Sequence, residues 1–548
     1  MFRLRHHRAA HYLVLLFTSA LLTLPGLGRP SLWDIDEGVN AEASREMLES
    51  GNYVVPKFNY QLRDAKPALI YWCQVAAFRT FGVSEFAARL PSAVAVALAV
   101  LLLYELGRAM FSPLTGVLGG FVLCGSGLVC ALAHFANPDA LLLACTALTF
   151  LAFWRGYAGS GNWFVPVGAA CGLGMLAKGP VALALPGVAI VAFLLWQRQL
   201  RRLWDRRYLY GVAAFLVVAA PWYIMVTVET RGEFARGFFL HNNLDRFVAP
   251  MENHGGPLWY YFAVLPVGLA PWSVFLLPAV LFTRRALSGS SELPAATAAT
   301  RFLVCWIGVY LTFFSFSATK LPNYALPVYP AAALLIGRFL DAWQSGEYRP
   351  NPWLLRAPLA VLFAIGAGTV VGLSLLGGEW HIPGYTGATF AGVGRWAWLG
   401  LIPIFASLAA WITVGRGRHG LSLVAVCVGC VGFFAPMAVF PIADVDRHKA
   451  IRELVSAAGT CERDRDIRLA SFRYTQPSLV FYNQREVKQL LTDAQVADFL
   501  AHPMPAYLFV PEPDWRAVRE RNPGLRNEIS ARRWDMYRRC DVLVISNQ

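Results

Sequence analysis

Residues 86–107 read FAARLPSAVAVALAVLLLYELG, with charge only at Arg89 and Glu105. An α-helix needs about 20 apolar residues to cross the hydrocarbon core of a bilayer, and this run supplies them without a break. Comparable runs recur on both sides, at 12–28, 114–133, 138–155, 162–177, 180–197, 208–228, 258–283, 301–317, 323–340, 355–376, 395–414 and 421–440, for about thirteen expected spans. Composition agrees: 56% of the 548 residues are hydrophobic, 15% are charged and the mean hydropathy is +0.46, whereas soluble chains carry about 25% charged residues. The expected fold class is an α-helical polytopic membrane protein.

Lys and Arg in short loops are retained on the cytoplasmic side, which orients the spans. Arg3, Arg5 and Arg8 stay inside, and thirteen spans put residues 198–207, Arg284-Arg285 and residues 416–419 on that same side. The same parity places the acidic cluster Trp33-Asp34-Ile35-Asp36-Glu37, Asn137-Pro138-Asp139, Lys178, residues 241–257, Lys320 and everything after Pro441 outside. A basic start and short apolar core also fit a cleaved signal peptide, but no clean small-x-small site follows Leu24-Pro25-Gly26.

Two segments interrupt the rhythm of spans. Between Arg29 and Glu85 the chain is too polar to cross, yet residues 41–50 and 66–81 have helical spacing with one apolar side, as helices lying in the outer interface do. After Pro441 the hydropathy falls to that of a soluble domain. Helices are expected near 448–458 and 493–501, and strands at 467–472, 506–510 and 542–546. The division is a membrane domain over 1–440, with an outer loop at 29–85, and an α/β domain over 441–548. Most of the ten cysteines are scattered through apolar spans. Cys461 and Cys540 alone lie in the soluble domain, and an oxidising compartment would pair them.

No GxGxxG, Walker loop or HExxH is present, so nucleotide-driven chemistry is not expected. Chemistry on a charged lipid headgroup fits better: carboxylates at a membrane surface stand in one chain with cations at helix starts. Lys66, Lys178 and Lys320 each precede a proline by one or two residues, so each cation meets the positive end of a helix, where anions such as phosphate bind. Arg231 and Arg236 read as snorkelling anchors, and Trp259-Tyr260-Tyr261 as an aromatic belt. Asp139 after Asn137-Pro138 also suits a plain helix cap, and His241 and His254 suit ordinary interfacial histidines.

The blocks Trp33-Asp34-Ile35-Asp36-Glu37, Ala41-Glu42-Ala43-Ser44-Arg45-Glu46-Met47-Leu48, Lys66-Pro67, Asn137-Pro138-Asp139, Lys178-Gly179-Pro180, His241-Asn242-Asn243-Leu244-Asp245-Arg246-Phe247 and Lys320-Leu321-Pro322-Asn323-Tyr324 follow one another in an order that resembles the GT-C glycosyltransferases using polyprenyl-phosphate sugars. Among these the chain most resembles the 4-amino-4-deoxy-L-arabinose (aminoarabinose) lipid A transferases, and Ser471–Tyr482 extends the likeness into the soluble tail. It departs from the family at Asp34, an extra acid beside the usual Asp-Glu pair; Asp36, adjoining Glu37, is taken as the lead carboxylate.

The resemblance implies transfer of aminoarabinose from undecaprenyl phosphate to a lipid A phosphate at the periplasmic face of the bacterial inner membrane, with polymyxin resistance as the outcome. It implies a GT-C fold, Asp36, Asp139 and Glu37 as catalytic residues, and Lys66, Lys178, Arg246, Lys320 and Tyr324 at the donor phosphate. It fixes no cofactor, and a divalent metal held by His241 and His254 together with Asp36, Glu37 and Asp139 stays open. The expected partners are the donor lipid, lipid A and membrane lipid, with no nucleic acid and a monomeric state. A protein O-mannosyltransferase or another polyprenyl-sugar transferase would share these features. A lipid or solute transporter ranks lower, because transporters keep ionisable groups in mid-span, and here they gather at span ends.

Overall fold

The computed structural model describes residues 8–159, 164–250, 254–288, 294–378, 389–462, 466–525 and 527–548. Among the described residues, eight helices are long and apolar enough to cross a membrane: Glu85–Met110, Asp139–Ala158, Tyr208–Glu229, Ala295–Phe316, Pro322–Ser345, Trp353–Leu376, Gly394–Gly415 and His419–Asp446. Two bent pairs raise the number to ten. Pro113–Cys124 and Gly127–Ala133 meet at 66°, and Tyr260–Leu269 meets Trp272–Ser288 at 113°, around Pro271, which withholds a backbone donor. The other three expected spans, Arg8–Thr23, Phe164–Lys178 and Val181–Trp196, are helical and apolar but only 15 or 16 residues long. Thirteen full crossings are thus more than length and composition support.

Local chemistry starts these helices where they begin. The Ser84 hydroxyl accepts the Ala87 N–H at 3.3 Å, and the Ser112 hydroxyl accepts the Thr115 N–H at 3.0 Å with Pro113 in the first turn. Small residues then let the backbones touch. A Cβ on Gly337 would lie 2.7 Å from the Gly119 nitrogen, so those two helices cross at a separation only glycine permits. At one end of the bundle Glu105 gathers Arg8, Arg108 and Arg155 at 2.7, 2.8 and 2.6 Å. The opposite end carries the carboxylates and cations described below.

At that opposite end lie a hairpin of β1 (Lys57–Phe58) and β2 (Gln61–Leu62) and the C-terminal α/β region. The latter holds β3 (Arg468–Phe472), β4 (Lys488–Leu490), β5 (Ala506–Pro511), β6 (Glu528–Asp535) and β7 (Cys540–Ser546) in the order β4-β3-β5-β7-β6. β3 is parallel to β4 and β5, while β7 runs antiparallel to β5 and β6. Ile451, Leu454 and Leu479 cover one sheet face and Val496, Phe499 and Trp515 the other.

Three expectations are corrected. The helix Asp36–Ser50 does not lie in an interface: it is buried from Glu37 to Met47, packed between the helices Leu69–Phe81 and Ser478–Asn483. Its polar groups satisfy one another, Arg45 on Glu42 at 2.7 Å and on Glu49 at 3.0 Å, and Ser44 on Gln74 at 2.6 Å, so enclosure leaves few orphans. Tyr261 is no belt residue, since it is fully buried and donates to the Leu321 carbonyl at 3.2 Å. Cys461 and Cys540 are both free thiols. Cys540 stands opposite Asp535, whose carboxylate accepts the Ala450 N–H at the front of helix Ile451–Ala458. Cys461 lies beyond the far end of that helix, which spans about 12 Å, too far for a disulfide's Cα atoms, which stay within about 7 Å.

Candidate active site

The site forms where helix ends meet. Asp139 opens the helix Asp139–Ala158, Lys178 closes Phe164–Lys178, Asn323 and Tyr324 stand in the first turn of Pro322–Ser345, and Asp36 begins Asp36–Ser50. Asp139 is not spent on capping its helix. One carboxylate oxygen takes the Lys178 ammonium and the other accepts Asn323 Nδ2 at 2.8 Å, while Asn137 Oδ1 accepts the Asp139 N–H at 3.0 Å. Lys178 Nζ also sits 4.8 Å above the Tyr324 ring, and the Tyr324 hydroxyl accepts Arg246 Nη1 at 3.2 Å.

Lys66 completes this group from the loop before Leu69–Phe81. Burial, and after it the cations Lys178 and Arg246, push its ammonium down to about 8, against the pull of Asp36 and Asp139. All five charged groups therefore share one electrostatic neighbourhood. Lys66 has no hydrogen bond or ion pair among the described residues, and neither does the exposed carboxylate of Asp36. Three cations thus face two acids, and only Asp139 is neutralised by a direct contact.

Other expected site residues are committed elsewhere. Lys320 is buried and donates to the carbonyls of Ser315 and Ser317 at 2.7 and 2.6 Å, so its charge serves the C-terminal end of Ala295–Phe316, where carbonyls lack partners. It is not turned toward the Asp139–Lys178 pair. Glu37 is fully buried, and its two oxygens accept Arg89 Nε and Nη2 at 2.9 and 2.7 Å, the Ala136 N–H at 2.6 Å and the Trp33 N–H at 2.8 Å. His241 Nδ1 lies 3.4 Å from exposed Asp245, and His254 offers its backbone carbonyl to the Lys320 N–H. Among the described residues no three His, Cys, Asp or Glu side chains gather as a metal set.

Two functional groups escaped the sequence reading. Asn323 lies inside a quoted block, yet nothing local says that its amide reaches Asp139. Arg89 announces itself as a charge in an apolar run, since intramembrane charges face the bundle interior and find partners. Its partner Glu37 is fifty-two residues away.

The family described as dolichyl-phosphate-mannose-protein mannosyltransferase matches this chain over residues 65–225. An undecaprenyl phosphate-alpha-4-amino-4-deoxy-L-arabinose arabinosyl transferase of Erwinia tasmaniensis is 31% identical over 430 residues, 75% of this chain and 74% of that one. One of the same name from Pseudomonas aeruginosa is 34% identical over 334 residues, 60% of this chain and 59% of that one. In three dimensions the chain is similar to ArnT from Cupriavidus metallidurans bound to undecaprenyl phosphate, with a TM-score of 0.81, 22% identity and 99% of each chain covered. At that identity the likeness speaks for the fold.

Proposed function

The chain belongs to the undecaprenyl phosphate-alpha-4-amino-4-deoxy-L-arabinose arabinosyl transferases, multi-pass membrane glycosyltransferases of the GT-C fold, and on that premise we propose that it moves aminoarabinose from undecaprenyl phosphate to a phosphate of lipid A. The reaction would take place on the periplasmic side of the bacterial inner membrane, with the N-terminus in the cytoplasm and residues 441–548 forming a domain beside the site. The observation that carries the reading is the unpaired Lys66 ammonium held among Lys178 and Arg246. A desolvated ammonium with no ion pair of its own is costly unless an anion arrives, and the donor's phosphate is such an anion.

The chemistry follows from charge. The bond between the sugar's anomeric carbon and the undecaprenyl phosphate oxygen breaks, and one to a lipid A phosphate oxygen forms. The donor diester gives up a phosphate monoester while the acceptor monoester becomes a diester, so no net proton moves and no general base is needed. What the site must do is hold the leaving phosphate and meet positive charge developing on the sugar. Lys66 and Arg246, with the Tyr324 hydroxyl, serve the phosphate. Asp36, whose carboxylate is open, faces the sugar and its ammonium group. Asp139 holds Lys178 in place, and Glu37 shapes the loop through Arg89.

Mass spectrometry of lipid A from cells with and without the protein tests the proposal. Aminoarabinose is expected on lipid A only when the wild-type chain is present, and its absence there, or its persistence with Asp36→Asn, would overturn the reading.

A further inference from the structure

Asp34, the acid that departs from the family pattern, lies two residues before Asp36 and faces the C-terminal region. Its carboxylate accepts the Ser478 N–H at 2.8 Å and the Ser478 hydroxyl at 2.5 Å. Its neighbours are held from the same side. The Ser31 N–H and hydroxyl go to Asp446 at 2.9 and 2.6 Å, Lys449 Nζ reaches the Ser31 carbonyl at 2.7 Å and stands 3.8 Å over the Trp33 ring, and the Leu32 N–H donates to the Tyr482 hydroxyl at 2.8 Å. The Asp34 N–H donates to the Tyr537 hydroxyl at 3.2 Å. A Cβ on Gly38 would lie 2.5 Å from the Ser478 nitrogen, so the contact has no slack.

The loop carrying Asp36 is therefore gripped from two sides, by Arg89 through Glu37 and by the C-terminal region through Asp34. We propose that Asp34 is a positioning residue for the transfer reaction: by holding Ser478 it fixes the Asp36 carboxylate at the sugar, so that the C-terminal region sets the rate of the chemical step without touching substrate. This rests on the reading of Asp36 given above. Misplacing a reacting group by about 1 Å costs on the order of 10²-fold in rate, so a tether two residues away has leverage on turnover.

The tether also titrates. Burial pushes the Asp34 carboxyl up to about 7, against Ser478 and Lys449, with Glu37 adding to the rise; the phenols of Tyr474 and Tyr537 face it as well. Ionised Asp34 accepts both Ser478 bonds as charge-assisted contacts, whereas the protonated acid must donate one, so the grip tightens as pH rises through about 7. Asparagine reproduces both contacts without a charge, accepting from the N–H and donating to the hydroxyl oxygen.

The test measures kcat and donor KM for the purified full-length protein in detergent, with undecaprenyl-phosphate-linked aminoarabinose and lipid A. Asp34→Ala is expected to lower kcat by about 10-fold or more with KM within about twofold, and Asp34→Asn to recover most of it and to lose the rise in kcat near pH 7. Ser478→Ala should lower kcat less, and the double variant should be no worse than Asp34→Ala, because the two residues share one contact. Should Asp34→Ala fail to fold, Ser478→Ala and Asp34→Asn carry the same test. Wild-type kcat in Ser478→Ala, fully additive losses, or equal damage by Asp34→Asn and Asp34→Ala would overturn the proposal. Asp36→Asn runs alongside: full activity there sinks the reading of Asp36, whereas an inactive Asp36→Asn beside a normal Asp34→Ala sinks the tether alone.

Discussion

Glu37→Gln separates holding a site together from doing its chemistry. Arg89 has five N–H donors and all are used: Nε and one Nη2 hydrogen on Glu37, the other Nη2 hydrogen on the Ser31 carbonyl, and Nη1 on the carbonyls of Leu27 and Pro30. Each Glu37 oxygen accepts one bond from Arg89 and one from a backbone N–H. A glutamine in the same place turns one oxygen into an NH2 facing two donors, and it leaves the Arg89 charge without a counter-ion in a site where both side chains are no more than 1% exposed. Breaking a buried pair from one side costs about 3–5 kcal/mol, a large share of the roughly 5–15 kcal/mol by which proteins are stable. Asp36→Asn, at an exposed carboxylate with no partner, should change stability by no more than about 0.5 kcal/mol. Thermal unfolding of both variants in detergent, followed by tryptophan fluorescence, should show a clear fall for Glu37→Gln and none for Asp36→Asn. A Glu37→Gln protein that melts like wild type but transfers no sugar would refute this reasoning and put Glu37 in the chemistry.

Lys66 gives a pH prediction. Its folded pKa of about 8 lies below the ordinary lysine value, so between about 8 and about 10.5 the folded state binds fewer protons than the unfolded one, and stability gains from this group as pH rises through that window. Donor binding runs the other way: undecaprenyl phosphate should bind more weakly above about pH 8 as the ammonium is lost, and Lys66→Arg should flatten the curve; a flat wild-type curve would remove Lys66 from the phosphate. Asp139→Asn deprives Lys178 of its counter-ion and should lower turnover by about 10²-fold in the transfer assay; because the pair is largely buried, the melting temperature should fall as well, and normal turnover would reduce Asp139 to a helix-start residue. Cys461 and Cys540 should both react with a maleimide in protein purified without reductant, and a cross-linked peptide found by mass spectrometry would contradict the placement of the two thiols.

Much of the fold was legible because it depends on information the chain carries locally. Apolar runs of membrane length became helices at all thirteen expected places, although three are short, and the helix at Asp493–Ala501 begins at a Thr492 capping box visible in sequence. β4 has only three residues, and β6 buries just Ala531 and Asp535, so neither shows the alternation that reveals a strand. Helix-start cations and family likeness single out Lys66, Lys178, Arg246 and Tyr324 as candidates, and the structure sets them near Asp139. Which charge meets which was not. Lys320 and Lys66 look alike in sequence, each just ahead of a proline, yet Lys320 caps the carbonyls of its own preceding helix and Lys66 is left to face the site. Asp34, Asp36 and Glu37 are neighbours in the chain, but one is bound by Ser478, one is open and one is buried on Arg89. Hydropathy and helix period are properties of neighbouring residues and survive in the sequence; the partner of a charge is chosen by whichever donors and acceptors the packing of distant helices brings within about 3 Å, and only the tertiary structure makes that choice.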